Sequence, residues 1–329
     1  MKKNLFGMLA VAMLIFTGCG ATESKTDSST SSKDKKSETS TVITTYNYEK
    51  KPVEETFEKV PEKVVAVYQS PIEIMLALGL EDKMIAASQL DTDVKPEFKE
   101  AFDKIKYYKQ APSKEEVLSL DPDFIFSWYS YFAPETLGDV SFWTDRNTNT
   151  YMAQNSGVKT PNTLENEYED ILNIGKIFKV EDKAQKMVDD MKKEIDKSIK
   201  FAEGKEKVKA VIFEVNKDGQ YRIYGADSIG GDMAQQVGAE LVADKNGNIT
   251  KEELVKLNPD VIFSVYYGES IEEKQALTSI TENEALQNMD AVKNNRVYPM
   301  VLSNVYSTGI RTLDGIQAIS KGLYPDLYK

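Results

Sequence analysis

One sequence pattern occurs twice in the chain, at residues 113–127 (SKEEVLSLDPDFIFS) and again at residues 250–264 (TKEELVKLNPDVIFS). Each copy begins with a hydroxyl residue and carries a glutamate three positions later, which predicts a capping box at the start of a short helix. A proline then ends the helix, and the apolar run after it predicts a buried strand. This duplication of a helix–strand unit predicts two equivalent α/β lobes.

A second strand–loop–helix pattern lies upstream of each copy. Residues 64–68 predict a strand followed by a helix that ends at Gly79, and residues 221–224 predict the counterpart, followed by a helix that ends at Gly238. We interpret the intervening loop at residues 225–231 as a turn in the wall of a cleft, because its glycines match no phosphate-binding motif. Alternating strands and helices predict parallel sheets, which bind ligands beyond the carboxyl ends of their strands.

Two amphipathic helices are predicted between the lobes, at residues 163–178 and at residues 181–203. The second is long enough to join two lobes as a single rod. We therefore predict an α/β fold of two Rossmann-like lobes with parallel sheets, bridged by one long helix. The expected boundaries are residues 46–179 for the N-terminal lobe, 180–204 for the connecting helix and 205–329 for the C-terminal lobe.

The first 19 residues are typical of a secretory signal, with two lysines before an apolar run that ends in small residues. The single cysteine of the chain, Cys19, lies at the cleavage point. This arrangement resembles the lipobox of bacterial lipoproteins, whose cysteine is acylated and becomes the mature N-terminus. Residues 20–45 are rich in Ser and Thr, so we expect a disordered tether. Together these features predict an extracytoplasmic body, anchored to the cell membrane by the lipid.

Composition excludes several classes of function. The 329 residues include no histidine and one cysteine, which excludes histidine-dependent catalytic triads, histidine-ligated metal sites and internal disulfides. A net charge of −12 and only four arginines make nucleic-acid binding unfavourable. No nucleophile and base stand at a recognisable spacing, so we expect a protein that is not an enzyme. A lipid-anchored enzyme or adhesin is the alternative class.

Over about residues 55–329 the chain resembles the substrate-binding lipoproteins of bacterial ATP-driven importers, in the group with two lobes joined by one long helix. The resemblance rests on VVAV at residues 64–67, EIMLALGL at residues 73–80, the lipobox, and the two Glu-x6-Pro-Asp copies that begin at Glu115 and Glu252. It implies that the protein captures a ferric siderophore and delivers it to a permease coupled to an ATPase, with no cofactor of its own because the ferric iron belongs to the chelate. Haem and cobalamin are the alternative ligands.

The resemblance also implies that Glu115 and Glu252 contact arginines of the permease. The ligand site itself is predicted from aromatic residues at the ends of strands, since tyrosine offers flat apolar area, a hydroxyl group and, as phenolate, an oxygen ligand for ferric iron. Among the arginines we expect Arg311 first and Arg146 second to hold an anionic chelate, while Arg222 and Arg296 are expected to face solvent. The remaining predicted ligand-binding residues are Tyr68, Gln69, Trp128, Tyr129, Tyr131, Tyr224, Asp227, Tyr266, Tyr267 and Tyr306.

Overall fold

Two sheets and one long helix organise the part of the chain that the computed structural model describes, residues 40–216, 218–266, 268 and 270–329. Within these residues, five strands form the first sheet, six strands form the second, and a two-stranded hairpin precedes both. The predicted signal sequence, Cys19, most of the predicted tether and Tyr267 lie outside the described residues.

The N-terminal lobe begins with an antiparallel hairpin of β1 (Thr41–Tyr46) and β2 (Pro52–Phe57). The tether was predicted to extend to residue 45, so the assignment of its last residues is wrong. The physical reason is alternation, since Ile43 and Thr45 are buried while Val42 and Thr44 are exposed, and β-branched residues favour such half-buried strands. The tether was predicted from its content of Ser and Thr, and such a count does not register the alternation of buried and exposed positions.

The N-terminal sheet is wholly parallel and has the strand order β5-β4-β3-β6-β7. All four residues of β3 are buried, as expected for a central strand whose two faces are both covered. The strand predicted at residues 64–68 is therefore present, and Tyr68 follows its carboxyl end. The strands are β3 (Val64–Val67), β4 (Met84–Ser88), β5 (Tyr107–Tyr108), β6 (Phe124–Ser127) and β7 (Asn149–Met152).

The first helix of the sequence repeat has the predicted ends. The Ser113 hydroxyl accepts a hydrogen bond from the N–H of Glu116, and the Glu116 carboxylate accepts one from the N–H of Ser113. Asp121 ends this helix in the left-handed conformation, with φ of 50°. The capping box and the helix stop are both confirmed. The helices of this lobe are α1 (Gln69–Ala77), α2 (Lys99–Phe102), α3 (Lys114–Leu120), α4 (Val140–Thr144) and α5 (Leu164–Ile177).

The long helix that joins the lobes is α6 (Glu181–Ala202), with 22 residues. At a rise of about 1.5 Å per residue it spans roughly 33 Å. It crosses α5 closely at Gly175, where an added Cβ would lie 2.5 Å from the Cβ of Ala184. In the described part of the chain, no helix combines the length and the apolar character needed to cross a membrane.

The C-terminal sheet has the order β11-β9-β8-β12-β13, with β10 paired to β8. The second copy of the repeat forms a capped helix and a buried strand here, as predicted, and Asn258 takes the left-handed stop position with φ of 40°. The strands are β8 (Lys209–Val215), β9 (Tyr221–Ile223), β10 (Glu240–Leu241), β11 (Gly247–Ile249), β12 (Val261–Tyr266) and β13 (Val297–Val301). The helices are α7 (Ile229–Gln236), α8 (Lys251–Leu257), α9 (Ser270–Thr281), α10 (Asp290–Lys293) and α11 (Thr312–Leu323).

The strand predicted at residues 221–224 is present, but it is not the counterpart of β3. This strand, β9, is antiparallel to β8 and to β11, so the C-terminal sheet is mixed, while β8, β10, β12 and β13 run parallel to one another. The true counterpart of β3 is β8. Asp123 accepts a hydrogen bond from the N–H of Lys63, beside β3. Asp260, at the same position of the repeat, accepts one from the N–H of Lys209 in β8.

Candidate functional site

Tyr68 and Trp128 follow the carboxyl ends of β3 and β6, and their rings stack with centroids 4.4 Å apart and planes inclined by 8°. Trp128 Nε1 donates a hydrogen bond of 2.9 Å to Ser70, and the Ser130 hydroxyl donates one of 3.1 Å to the Tyr68 hydroxyl. Tyr68 has φ of 77°, in the region that favours glycine. Such backbone strain concentrates at functional sites, and here it directs a tyrosine to the edge of the sheet where ligands bind.

Tyr306 extends this stack with a residue from the C-terminal half of the chain. It lies between β13 and α11, and its ring meets Trp128 edge-on with centroids 5.6 Å apart. The neighbouring hydroxyl of Ser307 is 3.3 Å from that of Ser70. Tyr68, Trp128 and Tyr306 therefore form an aromatic cluster to which both halves of the chain contribute.

A cavity of about 430 Å³ lies against Tyr306, and Arg222 and Tyr224 belong to its lining. The Arg222 side chain is 51% exposed, and its guanidinium is 3.5 Å from the Glu214 carboxylate. An exposed pair at this distance contributes little stability, so the guanidinium is available to an anion. Arg222 faces solvent as expected, and the structure also places it beside Tyr306 of the aromatic cluster, in what we call the Arg222 cavity.

The tyrosines of this region carry their protons at neutral pH. Burial raises the pKa of Tyr224 and of Tyr306, and the nearby Glu214 raises that of Tyr224 further, while Arg222 opposes both shifts. Burial and the Glu273 carboxylate raise the pKa of Tyr266 to about 12. A protonated phenol donates a hydrogen bond, so these side chains suit the oxygen atoms of a chelate better than direct ligation of a free metal ion.

Arg311, the first choice for a charged clamp, is occupied in a buried ion pair. Its Nε and Nη2 donate to the two carboxylate oxygens of Glu73 over 2.6 and 2.7 Å, and Nη2 also donates to the carbonyl oxygen of Asp93. The Arg311 and Glu73 side chains are only 10% and 0% exposed. Both donor atoms on this side of the guanidinium are already bound to Glu73. The prediction that Arg311 holds the ligand is therefore wrong, and Arg311 instead joins the segment before α11 to α1.

Two other predicted site residues also lie elsewhere. Arg146 is exposed in the turn just before β7, at the amino end of that strand and so at the edge of the sheet away from the ligand side, where its guanidinium packs on Phe142. Tyr131 is 2% exposed and its hydroxyl donates to the carbonyl oxygen of Pro112, which makes it part of the core. The sequence places both near strand ends but cannot say which end or which face they occupy.

Gln69 and Tyr129 lie at the expected edge of the N-terminal sheet, but both side chains already contact other residues of the protein. The buried Gln69 side chain accepts hydrogen bonds from the N–H groups of Asp91 and Thr92 and so positions that loop. Tyr129 stacks on Tyr48, with centroids 4.5 Å apart, and it lies close to Gly157, where an added Cβ would be 3.3 Å from its ring. Tyr48 lies in the turn between β1 and β2, and the sequence analysis missed it because that turn was assigned no role.

Asp227 and Tyr266 lie on the C-terminal side. Asp227 is exposed, and its carbonyl oxygen accepts a hydrogen bond from the N–H of Asn162. Tyr266 lines a second cavity, of about 660 Å³, with Asn216. Because Asn216 also lines the Arg222 cavity, the two cavities adjoin. Tyr224, Tyr266 and Tyr306 are thus brought to one region, and Tyr224 is the most deeply buried of the three.

Glu167 is a buried carboxylate that sequence reasoning missed. Its oxygens accept hydrogen bonds from the Asn155 side chain and from the N–H groups of Thr308 and Gly309, the two residues that close the segment after Tyr306. Burial raises its pKa, and these hydrogen bonds oppose that shift. Its position within the apolar face of the predicted helix at residues 163–178 was the available signal.

Glu115 and Glu252 occupy equivalent, exposed positions as the second residues of α3 and α8. Their neighbours Glu116 and Glu253 are engaged in the two capping boxes, and those hydrogen bonds lower the pKa of each carboxyl. The structure thus separates one capping glutamate from one solvent-facing glutamate in each copy, as the sequence predicts.

Known proteins are similar to this chain in sequence and in fold. The chain is 28% identical to YvrC of Bacillus subtilis, an ABC transporter substrate-binding lipoprotein, over the full length of both. It is 26% identical to the petrobactin-binding protein YclQ of the same organism, over 94% of each chain. A crystal structure of a periplasmic binding protein from Veillonella parvula matches with a TM-score of 0.82 and 32% identity, covering 88% of this chain and 93% of that one.

The family model described as "Periplasmic binding protein" matches residues 64–300. This region runs from the first residue of β3 to the next-to-last residue of β13 and so includes both copies of the repeat, α6 and the strands that carry the aromatic cluster. The chain therefore belongs to the periplasmic binding protein family.

Proposed function

We propose that this protein is the solute-binding component of an ATP-driven importer, that it captures a ferric siderophore between its two lobes, and that it delivers the chelate to a permease without breaking a bond. The observation that carries the proposal is the aromatic cluster joined to a cavity with an available guanidinium. Flat rings and a few well-placed donors suit a bulky chelate that presents rings and anionic oxygens. The names of the relatives YvrC and YclQ support both the importer and the cargo.

The fluorescence of Trp128 provides the test of cargo. We expect a ferric siderophore from a panel to quench the purified full-length protein, because Trp128 is part-buried in the cluster. The second tryptophan, Trp143, is 1% exposed in the core, so Trp143→Phe should retain the quenching and Trp128→Phe should lose it. If only haem or cobalamin quenches the fluorescence, that ligand is the cargo and the siderophore is not. A response to none of these ligands would contradict the proposal.

Delivery requires a second surface, and we assign it to Glu115 and Glu252. The double variant Glu115→Ala/Glu252→Ala should reduce uptake of radioactive iron by cells about tenfold or more, because each of the two substitutions removes an exposed negative charge that we expect to contact a basic side chain of the permease. Ligand affinity and melting temperature should stay unchanged. Glu116→Ala is the matched control, since it should lower the melting temperature through its capping box and leave docking intact. Unchanged uptake in the double variant would refute the assignment.

We further propose that the protein is held at the membrane by acyl chains on Cys19. Two or more acyl chains give stable anchoring, whereas one gives only marginal binding. Cys19→Ala should therefore leave the precursor unprocessed or release the protein to the medium. Partitioning into the detergent phase checks this, and the same partitioning in wild type and variant would contradict the anchor.

A further inference from the structure

The two helices that carry Glu115 and Glu252 also expose one large apolar side chain each. In the described part of the chain, large apolar side chains are exposed at five positions, namely Val42, Tyr107, Leu118, Ile199 and Val255. Leu118 and Val255, exposed by 41% and 37%, occupy the same position of the repeat, three residues after the exposed glutamate. A single exposed apolar residue needs no explanation, but the same exposure at both copies does.

Each apolar side chain shares a helix face with its glutamate. Residues three apart on a helix are neighbours, so Glu115 lies beside Leu118 and Glu252 lies beside Val255. Neither glutamate takes part in a salt bridge within the described residues. Each helix therefore presents an unpaired negative charge next to an uncovered apolar group, and we call these two surfaces the docking pads.

The pads lie at the ligand side of each lobe. The Tyr131 hydroxyl, just beyond β6, donates to the carbonyl oxygen of Pro112, just before α3, so that the helix begins where the strand ends. In the other lobe, Ile249 directly precedes the N-cap of α8 and pairs with Tyr221, which in turn pairs with Val215, the last residue of β8, and so α8 also begins at the carboxyl edge of its sheet. A partner that contacts both pads would face the edge where the cargo is held.

We infer that the permease binds each pad through two contacts, a basic side chain for the glutamate and an apolar socket for Leu118 or Val255. This inference rests on the proposed delivery to a permease and adds an apolar contact at each pad. An apolar side chain that leaves water on docking adds affinity that salt does not screen.

The test uses full-length variants in cells whose own copy has been deleted, with uptake of radioactive iron from their spent iron-limited medium as the measurement. Leu118→Ser and Val255→Ser should each reduce uptake about threefold, and the double variant about tenfold, because the pads are separate and their effects multiply. Leu118→Met/Val255→Leu should retain uptake. Ile199→Ser is the matched control, since Ile199 is 40% exposed on α6 outside the pads.

The uptake experiment has four informative outcomes for the apolar contact. A loss of uptake in the double serine variant, with melting temperature and Trp128 quenching unchanged, supports the apolar contact. Uptake within twofold of wild type, while Glu115→Ala/Glu252→Ala still loses it, overturns the apolar contact and leaves the proposed function standing. An equal loss with Ile199→Ser overturns it as well, because the effect would not belong to the pads. Cells in which the wild-type chain restores no uptake overturn the proposed function and this inference with it.

Discussion

Replacing Arg311 with alanine is expected to lower the free energy of unfolding by about 3–5 kcal/mol, because it leaves the buried Glu73 carboxylate without its counter-charge. Glu73 is 0% exposed and accepts two hydrogen bonds from the Arg311 guanidinium. Among the described residues, the other donor to that carboxylate is the N–H of Lys95, at 3.1 Å. One backbone donor cannot replace a bidentate cation, so the variant keeps a buried carboxylate that is poorly solvated.

Two further variants separate charge from geometry in this pair. Arg311→Lys keeps the charge but loses the planar fork, and it should fall between wild type and Arg311→Ala. The double variant Glu73→Leu/Arg311→Met removes both charges and should be more stable than Arg311→Ala, because no unpaired charge stays buried. Urea unfolding measures all three. A loss below 1 kcal/mol in Arg311→Ala would show that the pair contributes little, contrary to this account.

The Arg311 pair also explains why the cluster of Tyr68, Trp128 and Tyr306 is held in one arrangement. Glu73 is in α1, which begins directly after Tyr68, and Arg311 follows Tyr306 by five residues. The pair therefore joins the two chain segments that carry the outer members of the cluster. Lys95 and Asp314 form a second bridge of 2.9 Å beside it, between the loop before α2 and α11.

Local features of this fold could be read from the sequence because they are decided by neighbouring residues. Both capping boxes, the two helix ends just before Pro122 and Pro259, and the buried strands after them depend on a few adjacent side chains. The repeat adds information, since the same local pattern twice implies the same unit twice. These elements are where the sequence predicted, within one or two residues.

The pairing of β9 could not be predicted in this way. Its direction depends on contacts with β8 and β11, which are far along the chain, and a strand of three residues carries no signal of which neighbour it will join. The central strand β8 was overlooked because residues 221–224 also precede a polar loop and a helix, the same order of elements as at β3. The prediction therefore gave the place of the buried central strand to β9, a strand of three residues between β11 and β8.

The arginines show the same limit at the site. Arg311 sits at the start of a helix near a turn, which favours a ligand role, yet a carboxylate more than two hundred residues away occupies it. Arg222 stands in a strand between the buried Tyr221 and Ile223 and so points away from the core, as the sequence predicts. The sequence cannot show that this outward face lies beside Tyr306, and only the packed structure turns an exposed arginine into a candidate ligand contact.

Replacing Arg222 with alanine should weaken binding of the ferric siderophore about 10- to 100-fold, the range of one hydrogen bond to a charged group. The guanidinium borders the Arg222 cavity with Tyr224 and Tyr306 and has a loosely held partner in Glu214, at 3.5 Å. An anionic chelate that enters the cavity can displace that contact and accept two parallel hydrogen bonds. Arg222→Lys should retain the charge but lose the second hydrogen bond, giving an intermediate affinity.

Arg146→Ala is the matched control, because Arg146 is equally an exposed arginine but lies before β7, at the edge of the sheet away from the ligand. Its affinity, measured by quenching of Trp128, should equal that of wild type, and neither variant should change the free energy of unfolding by more than about 0.5 kcal/mol. The affinity loss in Arg222→Ala should also shrink as salt is added, since an exposed charge is screened over about 10 Å at 0.1 M ionic strength. Equal affinities for Arg222→Ala and Arg146→Ala would remove Arg222 from the site, because the two variants lose the same charge and differ only in where the fold places it.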